Sequence, residues 1–254
     1  MIYKLTENTK EVLGEIVYQI VLIEDCQYGK VGTLGGYIQS VKNLKDNAWI
    51  WDKAVVCQDA IVSENAKISG NALISGNAEV YGSAYVSDDV RVYHLAKVYG
   101  NARISNDARI YKNAEVYGYA RVCDDAEVYG YARIFDNAQI YNHAEVYNYA
   151  VVCENAVVCG NASVRKDAKI SGNASIHGRS KVFGTFNTTP LQIQGSQHFF
   201  NVSEKNQICI GCNKFSIDDW LKNYKTLGMS ALYSNSEIKE YKLYIDLAKA
   251  LSEI

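Results

Sequence analysis

From Ala48 to Ser180 every sixth residue is small, and the residue two places further on is branched and apolar. Alanine fills 21 of these 23 slots, Val90 and Ser180 being the exceptions, and all 23 partners from Ile50 to Val182 are Val or Ile. Blocks such as NAKISG, NALISG and NAEVYG succeed one another without insertion or deletion. Within a block the order Ala-x-Val-x alternates with period two, which predicts a short strand with its small and branched residues on one side. The next two positions, often Gly-Asn or Asp-Asp, predict a corner, because these residues tolerate left-handed backbone angles. Alanine is a poor strand former, so its recurrence reports a steric demand: an interior beside a corner with room for one methyl group. One hexad cannot bury its own apolar side. Stacked hexads share a continuous core, and each covered Val or Ile contributes about 1.5–3 kcal/mol.

A period of six with four-residue strands resembles the left-handed parallel β-helix of the hexapeptide-repeat superfamily. The resemblance implies the handedness and three hexads per triangular coil, so that residues 18 apart stack vertically. The repeats then make about 7.7 coils, or ~37 Å of prism at a strand spacing of ~4.8 Å. The expected fold class is mainly β, with three parts: an N-terminal β cap over residues 1–46, the hexapeptide-repeat helix over 47–184, and a C-terminal cap with two helices over 185–254.

With that register the outward positions form ladders. One face stacks Tyr93, Tyr111, Tyr129 and Tyr147, then Arg165 and Phe183. A second stacks Tyr81, Tyr99, Tyr117 and Phe135, beside Glu79, Lys97, Glu115 and Arg133, whose alternating signs suit neighbouring strands. The third carries Ser69, Ser87, Ser105, Cys123, Tyr141, Cys159 and His177. The ladders stiffen the sheets, and they also form an aromatic surface fit for a second subunit or a ligand. The seven tyrosines of the two ladders are the candidate binding residues, and a homo-oligomer is expected.

In the end segments, MIYKLT and EIVYQIVLIEDC read as strands, and VGTLGGYIQS as a glycine turn leading into the repeats. IQGSQHFFNV and QICIGC read as two more strands. Ser216 and Ser234, each with an acid three residues on, predict two helix N-termini. The first helix presents Trp220, Leu221, Tyr224 and Leu227. The second aligns Ile238, Tyr241, Ile245, Ala248 and Leu251 on one stripe, as a hairpin over the prism end or an assembly element. YGKVGTLGGYIQSVKNL, leading to AWIWDKA, resembles the start of YdcK-like hexapeptide-repeat proteins of bacteria and prophages. ICIGCNKFSIDDWL is similar to a tail of phage-encoded repeat proteins, with Phe215 where that tail commonly carries histidine.

Many hexapeptide-repeat proteins transfer acyl groups from coenzyme A or acyl carrier protein, and the resemblance implies a catalytic histidine and an excursion loop in such enzymes. No hexad here carries an excursion. Of the four histidines, His94, His143, His177 and His198, no carboxylate is evidently set to orient any. His94, in an irregular corner closing DVRVYH with Asp88 and Asp89 nearby, is the one candidate base. Cys57, Cys123, Cys153 and Cys159 share an outward slot. Cys123 and Cys159 stack two coils apart, too far for a disulfide or a shared zinc, and Cys209-x-x-Cys212 is a single weak pair. No metal site and no cofactor are expected. A net charge of -2 gives no footprint for nucleic acid, and no apolar run reaches membrane length. A cytoplasmic, non-catalytic structural or binding scaffold, associated with phage or prophage, is the leading expectation, with a protein or small-molecule partner. A hexapeptide-class acyltransferase and a protein that sequesters a ligand between subunits are the alternatives.

Overall fold

In a computed structural model that describes residues 2–252, the hexads wind into a left-handed parallel β-helix of about eight turns. Successive strands go to three different sheets in rotation. Face one begins at Trp49–Ile50, face two at Val55–Val56 and face three at Ile61–Val62. Each strand pairs in parallel with the one 18 residues away, as in Lys97 opposite Glu79 and Glu115. The expected register is therefore the observed one.

Every slot alanine and every Val or Ile two places on is shielded from water, in one core that runs the length of the prism. Each corner residue from Asp52 to Gly178, one per hexad, has a φ between 55° and 77°, whether it is glycine or not. Nine are glycines; the rest are mostly Asp, Asn, Glu or Gln. These polar side chains act as acceptors. Asp52 takes the Gly70 N–H at 3.0 Å, Gln58 that of Gly76 at 2.7 Å, Asp124 that of Asn142 at 2.9 Å and Glu154 that of Gly172 at 2.8 Å. Each satisfies a corner donor in the next coil, which the strand ladder leaves free.

The N-terminal segment holds β1 (Tyr3–Val12), β2 (Glu15–Leu22) and β3 (Leu34–Ile38). Leu13 and Gly14 turn β1 into β2 with positive φ at both positions, the geometry of a tight hairpin. The stretch read as a glycine turn contains β3, which pairs antiparallel with β2 and parallel with Val55–Val56, so face two has eleven strands. Tyr3, Ile20, Leu22 and Ile38 plug the open core, while Val17 covers Val55 and Cys57 from outside. Cys57 keeps its outward slot but is buried there beneath Val17, and its thiol is pushed up to about 11 by that burial. Cys153 is buried too.

At the other end the two strands expected after Pro190 are four: Gln192–Gln194, Phe199–Glu204, Gln207–Ile210 and Asn213–Ser216, in one antiparallel sheet. Its side chains replace the missing next coil. Asn201 accepts from the Lys181 N–H at 3.2 Å and donates to the Lys181 carbonyl at 3.0 Å. Gln192 does the same between His177 and Ser175 at 2.8 and 2.7 Å, and Ser180, in an alanine slot, donates to it. Helices α1 (Ile217–Ser230) and α2 (Asn235–Ser252) start at the expected serines. They pack on this sheet rather than on the prism end, around Phe200, Ile208, Trp220, Tyr241 and Ile245. Leu251 departs from the expected stripe and is exposed. No helix among the described residues is long and apolar enough to cross a membrane.

Removing one coil, residues 102–119, preserves register, corners and core, and the shortened chain folds with a β-type circular dichroism spectrum and a cooperative melt. Removing only residues 102–104 reverses the inward and outward sides of every later hexad and abolishes that melt. Equal behaviour of the two deletions disproves the 18-residue coil.

Candidate functional site

The outward position after each Val or Ile stands at the edge of its face, and the strand spacing dictates what an aromatic ring can do there. Neighbouring coils are ~4.8 Å apart, close to the separation of offset stacked rings. On face two Tyr93, Tyr111, Tyr129 and Tyr147 stack at 4.8–5.0 Å and within 9° of parallel. On face three Tyr81, Tyr99, Tyr117 and Phe135 stack at 4.7–5.0 Å. All seven tyrosines are half-buried, each covering its neighbour. Such pairs are worth about 0.2–1 kcal/mol each.

The ladders are wired to charges. Tyr111 donates to Glu127 at 2.9 Å, Glu127 pairs with Arg109 at 3.2 Å, and Arg165 donates to the Tyr147 hydroxyl at 2.9 Å while lying over Phe183. On face three Lys97 pairs with Glu79 at 3.2 Å, whereas Glu115 and Arg133 are adjacent in register without forming an ion pair. Burial pushes the Tyr99 and Tyr129 phenols up to about 12, and burial with the Glu127 hydrogen bond raises Tyr111.

His94 occupies a corner after face two, exposed, with φ 63° and its ring 4.8 Å from that of Tyr93. Asp88 and Asp89 lie on a different edge, where they accept from Asn106 and Asn71. The expectation that no histidine has a carboxylate is corrected at His143, whose Nδ1 is 3.4 Å from Asp125 Oδ2. The two are 18 residues apart, so the stacking rule carries this pair. They line an open groove of about 610 Å³ with Asp107, Asp124 and Asn142. His177 is exposed beside Phe199, and His198 beside Tyr233. Among the described residues no three His, Cys, Asp or Glu side chains converge to hold a metal ion. Cys209 is buried and Cys212 exposed.

Sequence reasoning misses two features of face two and its edge. Tyr131 and Tyr149 stack at 5.1 Å in corner positions and are 53% and 61% exposed, unlike the ladder tyrosines. Leu95 stands exposed in the same column. A groove of about 320 Å³ also lies at the foot of the face-two ladder, between Leu13, Leu73, Ser75, Arg91, Tyr93 and Arg109. The spacing of 18 is a signal for the tyrosine pair; the groove needs Leu13, which only the folded hairpin brings there.

Residues 96–112 and 138–154, two stretches within the hexads, match the family model described as YdcK Beta solenoid repeat; the N-terminal segment that carries the YdcK-like resemblance lies outside them. No curated protein matches the chain. Among solved structures, the UDP-N-acetylglucosamine acyltransferase from Campylobacter jejuni aligns over 80% of this chain and 81% of its own, at 17% identity and a TM-score of 0.27.

The raised phenols stabilise the fold while they stay neutral. That contribution is fully present below the ordinary tyrosine value near 10 and is lost as pH rises through about 12. Thermal melts therefore fall across that window as ultraviolet absorbance reports phenolate. In the Tyr99→Phe, Tyr129→Phe double variant the fall is smaller. An unchanged fall removes the ladder as its cause.

Proposed function

We propose that this chain is a non-catalytic binding scaffold that assembles with copies of itself through the edge between faces two and three. The observation that carries the reading is the stacked, exposed pair Tyr131–Tyr149, aligned with Leu95 and bordered by Tyr129 and Tyr147. Two adjacent rings left in water, in a column that also carries Leu95, Asn113 and Asp167, mark a contact surface. The prism supports it as a rigid rod: each rung is fixed by backbone bonds to the coils above and below, so a flat partner meets a preordered surface at little entropic cost. The tail resemblance supports a phage setting, and the unpaired thiols suit the reducing cytoplasm.

Replacing Tyr131 and Tyr149 with Glu puts two charges into the contact without touching the core. The variant dissociates in sedimentation velocity and keeps its melting temperature within a few degrees. A monomeric wild type, or an oligomer indifferent to both charges, overturns the assembly reading.

The His143–Asp125 pair favours a second reading, acyl transfer, since an imidazole beside a carboxylate is the pairing a general base uses. The groove weighs against it: Asp107, Asp124 and Asp125 would repel the phosphates of coenzyme A. Calorimetry with acetyl-coenzyme A, and then turnover on amine and hydroxyl acceptors, is expected to show neither binding nor rate. Saturable binding with activity lost in His143→Ala, and kept in His94→Ala, establishes the enzyme instead.

A further inference from the structure

The face-two ladder has a lower end, and its next rung is missing. Tyr147, Tyr129, Tyr111 and Tyr93 occupy successive coils, but the position 18 residues before Tyr93 is Ser75. Beneath each of the other rings lies a neighbouring ring; beneath Tyr93 a hydroxymethyl group stands where a ring would be. The space left is the groove of about 320 Å³. Its size is at the lower end of the range for small-ligand sites. Leu73 and Leu13 give it apolar walls, the latter supplied by the tip of the β1–β2 hairpin and 58% exposed.

The polar end of the groove is cationic. Arg91 and Arg109 are neighbours in parallel register, and both line it. Arg109 is shared with Glu127, while Arg91 makes no ion pair among the described residues. Two guanidiniums stacked one coil apart, with one carboxylate, Glu127, on the far side of Arg109, leave a net positive charge beside Tyr93. The Tyr93 hydroxyl senses both: its pKa is raised by burial and by Glu127, and drawn back by Arg109 and Arg91.

We propose that this groove binds a small planar aromatic anion, which completes the ladder as its missing rung by stacking beneath Tyr93 and sets its carboxylate or comparable anionic group against Arg91 and Arg109. The stacking distance is imposed by the strand spacing, so a flat ring fits and a bulky aliphatic acid does not. Guanidinium recognition of a planar carboxylate is geometrically matched. The site is separate from the Tyr131–Tyr149 edge and does not depend on the assembly reading.

The test is calorimetric titration of the full chain with 2-naphthoate, with 2-naphthamide as the neutral isostere. Saturable binding of one naphthoate per chain is expected, weakened about tenfold or more in naphthamide and in Arg91→Glu. Ser75→Tyr supplies the absent rung from within the chain, as four neighbouring coils already do, and abolishes binding. Absence of saturable naphthoate binding overturns the proposal, as does binding that survives both Ser75→Tyr and Arg91→Glu. If naphthoate does not bind and Ser75→Tyr instead changes the sedimenting mass, the slot is filled by a side chain of a second copy, and the small-ligand proposal is wrong.

Discussion

The methyl group of the slot alanine is the constraint on which the rest of the structure depends. It lies inside the prism beside a corner whose backbone is left-handed, where the space suits a small side chain and Val90 is the largest one held. Because 21 of the 23 hexads meet that demand at the same point, the corners recur every six residues and the coils close every 18. Uniform closure superposes strand on strand, and superposition turns each outward position into a vertical column. Ladders, charge pairs and corner caps are all consequences of that one small side chain.

A column on such a prism has uniform physics along its length and different physics at its ends. Within the tyrosine ladders every inner ring has neighbours on both sides, so the rings are half-buried and their phenols are raised. At the ends the periodic solution fails and something else must fill the gap. Arg165 and Phe183 finish the upper end of the face-two ladder, where the guanidinium both bonds the Tyr147 hydroxyl and lies over the Phe183 ring. Asn201 and Gln192 finish the backbone ladder with side-chain amides that imitate a further peptide strand. The open foot below Tyr93 is the counterpart of these closures, and its lining of two arginines points to the kind of group that would close it.

The same distinction between repeated rungs and singular ends sets how much of the molecule is legible in its sequence. Period six and the 18-residue register are local and repeated, so Glu79 facing Lys97, and Tyr93 stacked on Tyr111, can be read by counting. The His143–Asp125 pair is equally countable, but a histidine weighed only against its neighbours along the chain shows no partner one coil away. The caps are legible only as elements. Ser216 and Ser234 announce helices through their own hydrogen bonding, but that α1 and α2 lie on a sheet rather than on the prism depends on Phe200, Ile208 and Ile245 meeting in space. Cys57 departs from expectation for a like reason: its slot is outward in the repeat, and Val17 of the hairpin covers it.

The corner polar residues show how a composition bias can have a structural cause before a functional one. Asp, Asn and Glu at left-handed corners are tolerated for backbone reasons, yet tolerance alone would be met by glycine throughout. Their acceptors point along the column to the N–H of the next corner, as Asp124 does to Asn142. The acidic groove around His143 is in part this scaffolding function seen from outside, since Asp124 is already engaged in it. Asp125, one residue further along the corner, is not used in that way and faces His143 instead. Adjacent residues of a single corner thus divide two tasks, one holding the coils in register and the other left to act on the surface. At other corners the second residue also ties the coils together, as Asn71 does in donating to Asp89 and Asn137 in donating to Asn155, so the division at Asp124 and Asp125 is particular to that height.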